Sequence, residues 1–119
     1  MAQLEWPRRY SEHMELHARS DDDGAWIVTL LGELDLAAVP GFRSATQEAL
    51  RDGWTELVID LQQVAFVDSA GIGVLIGLRR RIAEVGGSLT LRASGEVLRL
   101  LSVANVDGLF HVDTVGGEA

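Results

Sequence analysis

The pattern of hydrophobic and polar positions first predicts a β-hairpin. Residues 14–18 alternate between apolar and polar side chains, as a half-buried strand does. A β-branched and aromatic run, residues 25–31, follows the turn sequence Asp21-Asp22-Asp23-Gly24 and ends at Gly32. Residues 1–13 show no period, and we expect them to form a flexible tail.

The rest of the chain alternates predicted helices and predicted strands. A helix is expected with Pro40 in its first turn, and its end is expected at Gly53. Apolar residues at three-to-four spacing predict two further helices, and short apolar runs predict three further strands. These helices cover residues 69–85 and 96–103, and these strands cover residues 57–61, 88–92 and 109–112. The order ββαβαβαβ predicts an α/β fold with a mixed sheet.

Composition narrows the classes of function. A chain of 119 residues with 47% hydrophobic and 24% charged residues is typical of one globular domain. Its formal net charge of −8 disfavours direct binding to nucleic acid, because neutralising phosphates requires a basic surface. The sequence contains neither cysteine nor lysine, which excludes disulfides, thiolate metal sites and lysine-dependent phosphate loops.

No membrane segment or secretory leader is expected. The most apolar stretch, residues 64–78, is shorter than the roughly 20 residues that a spanning helix needs, and it contains Asp68. Residues 1–10 lack the apolar centre of a leader peptide. We therefore predict a protein of the cytoplasm.

The run Asp68-Ser69-Ala70-Gly71 lies between a strand and an apolar helix, and it permits two interpretations. Ser69 is a candidate N-cap, since its hydroxyl could accept from an early helical N–H. The start of a helix also tolerates phosphate, because its free N–H groups and dipole favour negative charge. A phosphoserine would carry about −1.5 to −2 charges beside Asp68 and, if the loops meet, near Glu33 and Asp35. The local pattern leaves both interpretations open.

Catalysis by Ser69 is disfavoured. A hydrolase nucleophile elbow has the form GxSxG, whereas Val67 occupies the first glycine position here. The spacing pairs none of His13, His17 and His111 with Ser69.

Two further groups of residues have a functional and a structural interpretation. The carboxylates of Gly32-Glu33-Leu34-Asp35 could serve acid–base chemistry or a hard metal, but a solvated loop with Asp35 as a turn or cap residue is favoured. No metal or cofactor is predicted. Gly71, Gly73 and Gly77 indicate either close packing of the helix or a flat docking surface.

Four segments of the sequence resemble the STAS domain, and more narrowly the single-domain anti-sigma factor antagonists. They occur in the family's order and spacing, at residues 32–35, 57–61, 66–75 and, more weakly, 97–101 with 108–110. The resemblance assigns residues 14–115 to the domain and residues 116–119 to a C-terminal tail. It implies a mixed sheet with helices packed mainly on one face.

The resemblance also implies a regulatory binding protein rather than an enzyme. In the family, an anti-sigma factor with serine kinase activity phosphorylates the serine after the motif aspartate, which is Ser69 here. The unmodified antagonist binds the anti-sigma factor and so regulates sigma-factor-dependent transcription; the phosphorylated form is released, and a serine phosphatase restores it. The implied surroundings of the phosphorylation site are Asp35, Asp68, Ala70 and Gly71. The implied partner-binding residues are Glu33, Asp35, Ser69, Ile72, Gly73 and Ile76.

The sequence departs from the family pattern in two places. Ala70 stands where many relatives have a second hydroxyl residue, which leaves Ser69 as the one phosphoacceptor of the motif. The family's last helix is expected to be short or missing, which could leave an apolar patch for a homodimer partner. The alternative function is a ligand-sensing or scaffold module of the same fold, in which Ser69 only caps the helix.

Overall fold

A single mixed sheet organises the protein, for which a computed structural model describes residues 8–11, 14–93 and 95–113. Within these ranges six strands lie side by side in chain order. The strands are β1 Arg8–Ser11, β2 Met14–Ser20, β3 Trp26–Leu34, β4 Glu56–Val67, β5 Ser88–Arg92 and β6 His111–Asp113. The helices are α1 Val39–Arg51, α2 Ser69–Glu84 and α3 Gly95–Val103, with 3₁₀ turns at Leu36–Ala38 and Asp107–Leu109.

The type of strand pairing changes once across the sheet, at β3. The strands β1, β2 and β3 pair antiparallel, whereas β3, β4, β5 and β6 pair parallel. Parallel neighbours need crossover connections, and α1, α2 and α3 supply them. The predicted mixed α/β architecture is therefore confirmed.

The main core lies on one face of the sheet. In β3, Trp26, Val28 and Leu30 face a buried cluster to which all three helices contribute, through side chains such as Phe42, Leu75 and Leu101. The alternate residues Ala25 and Ile27 form a small separate cluster with Val58. Because side chains alternate between the faces of a sheet, the helices pack mainly on one face, as the resemblance implied.

Strand β4 is irregular. Leu61, Val64 and Val67 all reach the main core, although they are spaced three residues apart rather than two. The register against β3 shifts twice, between Thr29 and Leu31 and between Gly32 and Glu33, and each shift adds one residue to β4. Such bulges change the phase of a strand without ending it. The strand predicted over residues 57–61 therefore continues to Val67, directly before the run Asp68-Ser69-Ala70-Gly71.

Two predicted boundaries at the first strands were wrong. Residues 8–11, expected in the flexible tail, form β1, whose backbone pairs with the outer edge of β2. An edge strand offers unpaired backbone groups, so a neighbouring segment can pair with it without a hydrophobic pattern of its own. β3 continues beyond Gly32 to Leu34 through a glycine with φ of 112°. The remainder of the predicted tails, residues 1–7, 12–13 and 116–119, and the expected short C-terminal end lie outside the described residues.

The remaining helices and strands agree with the sequence within a few residues. Strand β5 has its predicted bounds, and α2 begins at its predicted first residue, Ser69. Among the described residues, no helix combines the length and apolar character needed to cross a membrane.

Candidate functional site

The cap of α2 is Asp68. Its backbone is extended, with φ of −94° and ψ of −175°, and its Oδ1 accepts from the N–H of Gly71 at 2.8 Å. This geometry is that of an N-cap residue bonded to the third residue of its helix. Ser69 is the first residue inside the helix, so the expectation that Ser69 caps α2 is wrong.

The other oxygen of Asp68 reaches across to the loop after β3. Oδ2 accepts from the backbone N–H of Leu36 at 3.1 Å, and the Asp68 N–H donates to the carbonyl of Leu34 at 3.3 Å. One residue therefore holds the start of α2 against the end of β3 and the segment that follows it.

Gly71 makes this close approach possible. A β-carbon at this position would collide with the carbonyl oxygen of Leu34 and would lie 2.9 Å from Cγ1 of Val67. The close-packing interpretation of the helix glycines is thus confirmed for Gly71. At Gly73 and Gly77 a β-carbon would meet no neighbouring atom, so close packing is the wrong explanation there.

The acidic segment before α1 divides between strand and cap. Asp35 is the N-cap of the 3₁₀ turn and accepts from the N–H of Ala38 at 3.2 Å, which confirms its predicted role. Glu33 lies within β3, paired in register with Phe66, so the loop predicted at Gly32–Leu34 is wrong. Among the described residues, no three acidic or histidine side chains are grouped to hold a metal ion.

The exposed side of the first turns of α2 forms a continuous surface. Ser69 and Gly73 are exposed, and Ile72 and Ile76 are partly exposed. These four residues share one side of the helix because of their three-to-four spacing, and we call them the α2 stripe. Ala70 is partly buried and packs against the main core, away from this stripe. The structure thus brings together all four predicted partner-binding residues of α2.

Leu36 is the residue at this site that the sequence interpretation missed. Its side chain is 71% exposed, and its backbone N–H is bonded to Asp68, the residue before Ser69. A single exposed apolar side chain is common on protein surfaces, but the backbone of Leu36 is bonded directly beside Ser69, so Leu36 is a candidate contact residue. The available signal was an apolar residue directly after the capping Asp35.

The described residues give Ser69 no catalytic base. No hydrogen bond to the Ser69 hydroxyl forms within them, and His17 is instead bonded to Glu15, with 3.1 Å between Nε2 and Oε2. His111 lies on β6, the edge strand farthest from β1. His13 lies outside the described residues. Within the described residues, the Ser69 hydroxyl thus has no general base that would activate it as a catalytic nucleophile.

Comparison with known proteins agrees with this geometry. Residues 17–112 match the family described as Mlab, STAS domain. The chain is 33% identical over 92 residues to the anti-sigma-B factor antagonist of Bacillus subtilis (strain 168), covering 77% of this chain and 82% of that protein. It is 27% identical over 92 residues to the protein of that name from Staphylococcus aureus (strain NCTC 8325 / PS 47), covering 76% and 85%.

A solved structure shows the same architecture. The crystal structure of an anti-sigma factor antagonist from Mycobacterium paratuberculosis aligns with a TM-score of 0.76 at 25% identity, covering 87% of each chain. The resemblance found in the sequence is thus confirmed over most of its length. The chain belongs to the STAS-domain family, and the relatives named here are anti-sigma factor antagonists.

Proposed function

We propose that this protein is an anti-sigma factor antagonist whose binding is switched off by phosphorylation of Ser69. Unmodified, it binds an anti-sigma factor with serine kinase activity and so regulates sigma-factor-dependent transcription. The names of its relatives support the antagonist role. The observation that carries the switch is the exposed Ser69 at the first position of α2, with the capping role already filled by Asp68.

The start of α2 suits a phosphoserine. The first N–H groups of a helix have no partner within it and form the positive end of its dipole. A phosphate there would be favoured by the backbone of α2. Neither side-chain hydrogen bond of Asp68 involves the Ser69 hydroxyl, so modification of the serine removes neither bond directly. Phosphorylation therefore changes the surface and leaves the fold in place.

The surroundings of Ser69 explain why a phosphate would release a partner. Ile72, Ile76 and Leu36 offer apolar surface around it, so a docked protein would exclude water from the hydroxyl. A group with about −1.5 to −2 charges placed there would have to be desolvated in the complex. The carboxylate of the adjacent Asp68 would repel it more strongly once the docked protein excludes water. Glu33 and Asp35 complete the proposed partner surface at its acidic side.

A kinase assay tests this proposal directly. The protein is incubated with its cognate anti-sigma factor and ATP, and phosphate is located by mass spectrometry. We expect one phosphate, on Ser69, and none on the matched variant Ser69→Ala, because Ala70 leaves no second hydroxyl in the motif. Complex formation measured before and after the reaction should fall with phosphate content, and a serine phosphatase should restore it.

Two results would contradict the proposal. A kinase that is active on another substrate but leaves Ser69 unmodified would exclude the switch. A complex that persists unchanged after Ser69 is fully phosphorylated would favour the scaffold alternative.

A further inference from the structure

A small groove lies toward the opposite end of α2 from Ser69. It has a volume of about 210 Å³ and lies between α2, β5 and the turn that leads into β6. Arg79 is ten residues after Ser69, which at 1.5 Å per residue places it about 15 Å along the helix. None of the groove's lining residues belongs to the α2 stripe. The groove begins just beyond the far end of the stripe, since Arg79 is three residues after Ile76, about 4.5 Å along the helix.

The floor of this groove is apolar and partly open to solvent. Five of its lining residues are hydrocarbon or aromatic: Ile82, Ala83, Leu89, Leu109 and Phe110. Leu109 is 41% exposed, and Leu89 and Phe110 are only partly buried. Gly87 also lines the groove and cannot gain a side chain, because a β-carbon would collide with the carbonyl oxygen of Thr55. A side chain at position 87 would therefore disturb the packing of the wall that Gly87 and Ile82 form.

The polar side of the groove is cationic. Arg79 and His111 are its two ionisable lining residues, and none of its lining residues is acidic. This contrasts with a chain of 18 acidic and 10 basic residues. Arg79 is exposed and makes no ion pair with any residue that the structure describes, whereas Arg99 is paired with Glu96 through Nε at 3.1 Å from Oε1.

We propose that this groove binds a small organic carboxylate with an aromatic or branched hydrocarbon body. The body would pack on the apolar floor, and the carboxylate would accept from the guanidinium of Arg79, whose fork matches a carboxylate in geometry. His111 offers a ring N–H as a second donor. The volume is far above the roughly 10–15 Å³ that one water needs and below the roughly 300–1,000 Å³ of drug-sized pockets, which favours a body of one ring or one branched chain.

The test compares 3-phenylpropionate with its neutral analogue 3-phenylpropan-1-ol by NMR titration of the ¹⁵N-labelled protein. We expect the carboxylate to shift the amide signals of Leu89, Leu109 and His111, with a dissociation constant on the order of 1 mM for a probe of this size. The alcohol should bind several times more weakly, since it cannot pair with Arg79.

Matched variants separate the charge from the apolar floor. Arg79→Gln should weaken carboxylate binding about tenfold and leave the alcohol unchanged, whereas Arg80→Gln, which removes an adjacent exposed arginine outside the groove, should change neither. Leu109→Ser should weaken both probes, whereas Val103→Ser, at an exposed position of α3 outside the groove, should weaken neither.

Three outcomes would overturn the proposal. The first is the absence of groove shifts at about ten times the expected dissociation constant. The second is equal binding of the acid and the alcohol to the unchanged protein. The third is an equal loss in Arg79→Gln and Arg80→Gln, which would show only a general effect of net charge.

Discussion

Asp68 accepts a hydrogen bond from the backbone N–H of Leu36 at 3.1 Å, although the two residues are 32 positions apart in the chain. With its other oxygen Asp68 caps α2. A single carboxylate therefore determines where the helix begins and where the loop after β3 lies. Leu36, whose side chain is exposed, belongs to that loop, and the exposed Ser69 follows Asp68 in the chain, so the carboxylate anchors the backbone next to both.

Removing the Asp68 carboxylate should lower the stability of the fold, whereas removing the Ser69 hydroxyl should not. Asp68→Ala deletes the helix cap and leaves the Leu36 N–H without its acceptor, so we expect a loss of about 2 kcal/mol in the free energy of unfolding. Ser69→Ala deletes no hydrogen bond within the described residues and should change it by less than about 0.5 kcal/mol. Urea denaturation followed by circular dichroism measures both. Equal losses would mean that Ser69 shares the capping role.

The helix glycines should respond to alanine in opposite directions. Gly71→Ala forces a β-carbon into the carbonyl of Leu34 and should destabilise the protein by about 1–3 kcal/mol. Gly73→Ala meets open space in the helix interior and should stabilise it by up to about 1 kcal/mol. The same denaturation experiment compares them. A neutral Gly71→Ala would show that α2 can move away from β3 at little cost.

A negative charge at position 69 should weaken partner binding, whereas the same charge elsewhere on the surface should not. Ser69→Glu is expected to reduce affinity for the anti-sigma factor by at least about tenfold, or ~1.4 kcal/mol, because the charge enters an apolar contact beside Asp68. Ser69→Ala should retain affinity and should remain bound in the presence of ATP.

Ser102→Glu is the matched control for this substitution, since Ser102 is an exposed serine on α3. Isothermal titration calorimetry measures all three variants. A similar loss from Ser102→Glu would indicate a general effect of net charge, and equal affinities of the alanine and glutamate variants at position 69 would contradict the proposed repulsion.

Leu36 should contribute to binding and not to folding. Leu36→Ala removes an exposed side chain, so we expect little change in unfolding and a loss of about 1–2 kcal/mol in binding the anti-sigma factor. Val103 is equally exposed, at 71%, and lies on α3, so Val103→Ala is the matched control and should bind normally. If both variants bind normally, the partner surface does not include the loop after β3.

The hairpin turn should give a measurable pH dependence. The pKa of Asp21 is held below its ordinary value of 3.8, first by the backbone N–H of Ala25 at 2.8 Å and also by that of Asp23 at 2.9 Å. Because the pKa is lowered in the folded state, this stabilisation is complete above the unfolded value and is lost as pH falls through the folded value.

The substitution Asp21→Asn should therefore lower the melting temperature at neutral pH, and the difference from the unchanged protein should shrink below about pH 3.8. The control is Asp22→Asn, at an exposed position of the same turn. Melting temperatures of all three proteins, measured at neutral pH and again below about pH 3.8, test this expectation. A difference that is independent of pH would mean that the charge of Asp21 does not matter.

The hydrophobic pattern was sufficient to predict a helix or strand where the segment's own residues show a clear period and clear ends. β5 alternates cleanly and follows Gly86-Gly87, and α2 has a broad apolar face, so both could be predicted. β1 could not, since its pairing depends on the backbone edge of β2 rather than on its own side chains. The length of β4 was missed because two bulges replace the period of two by spacings of three.

The sequence identified the residues at the start of α2, but it did not show which of them caps the helix. Asp and Ser are comparable N-caps, so the local sequence could not determine whether position 68 or 69 takes the extended conformation. A long-range contact with Leu36 stabilises Asp68 in that role. The glycines were also indistinguishable in sequence, because what separates Gly71 from Gly73 is the close approach of Leu34 and Val67 in the folded protein.

The assignment of the cap to Asp68 has a consequence for the timing of the proposed cycle. The two bonds that begin α2 do not use the Ser69 hydroxyl, so the proposed addition or removal of a phosphate requires neither of them to break. The two forms of the protein would then interconvert without partial unfolding. The lifetime of each form would be set by the rates of the kinase and the phosphatase, and a single molecule could pass through many rounds of signalling before it needs to be replaced.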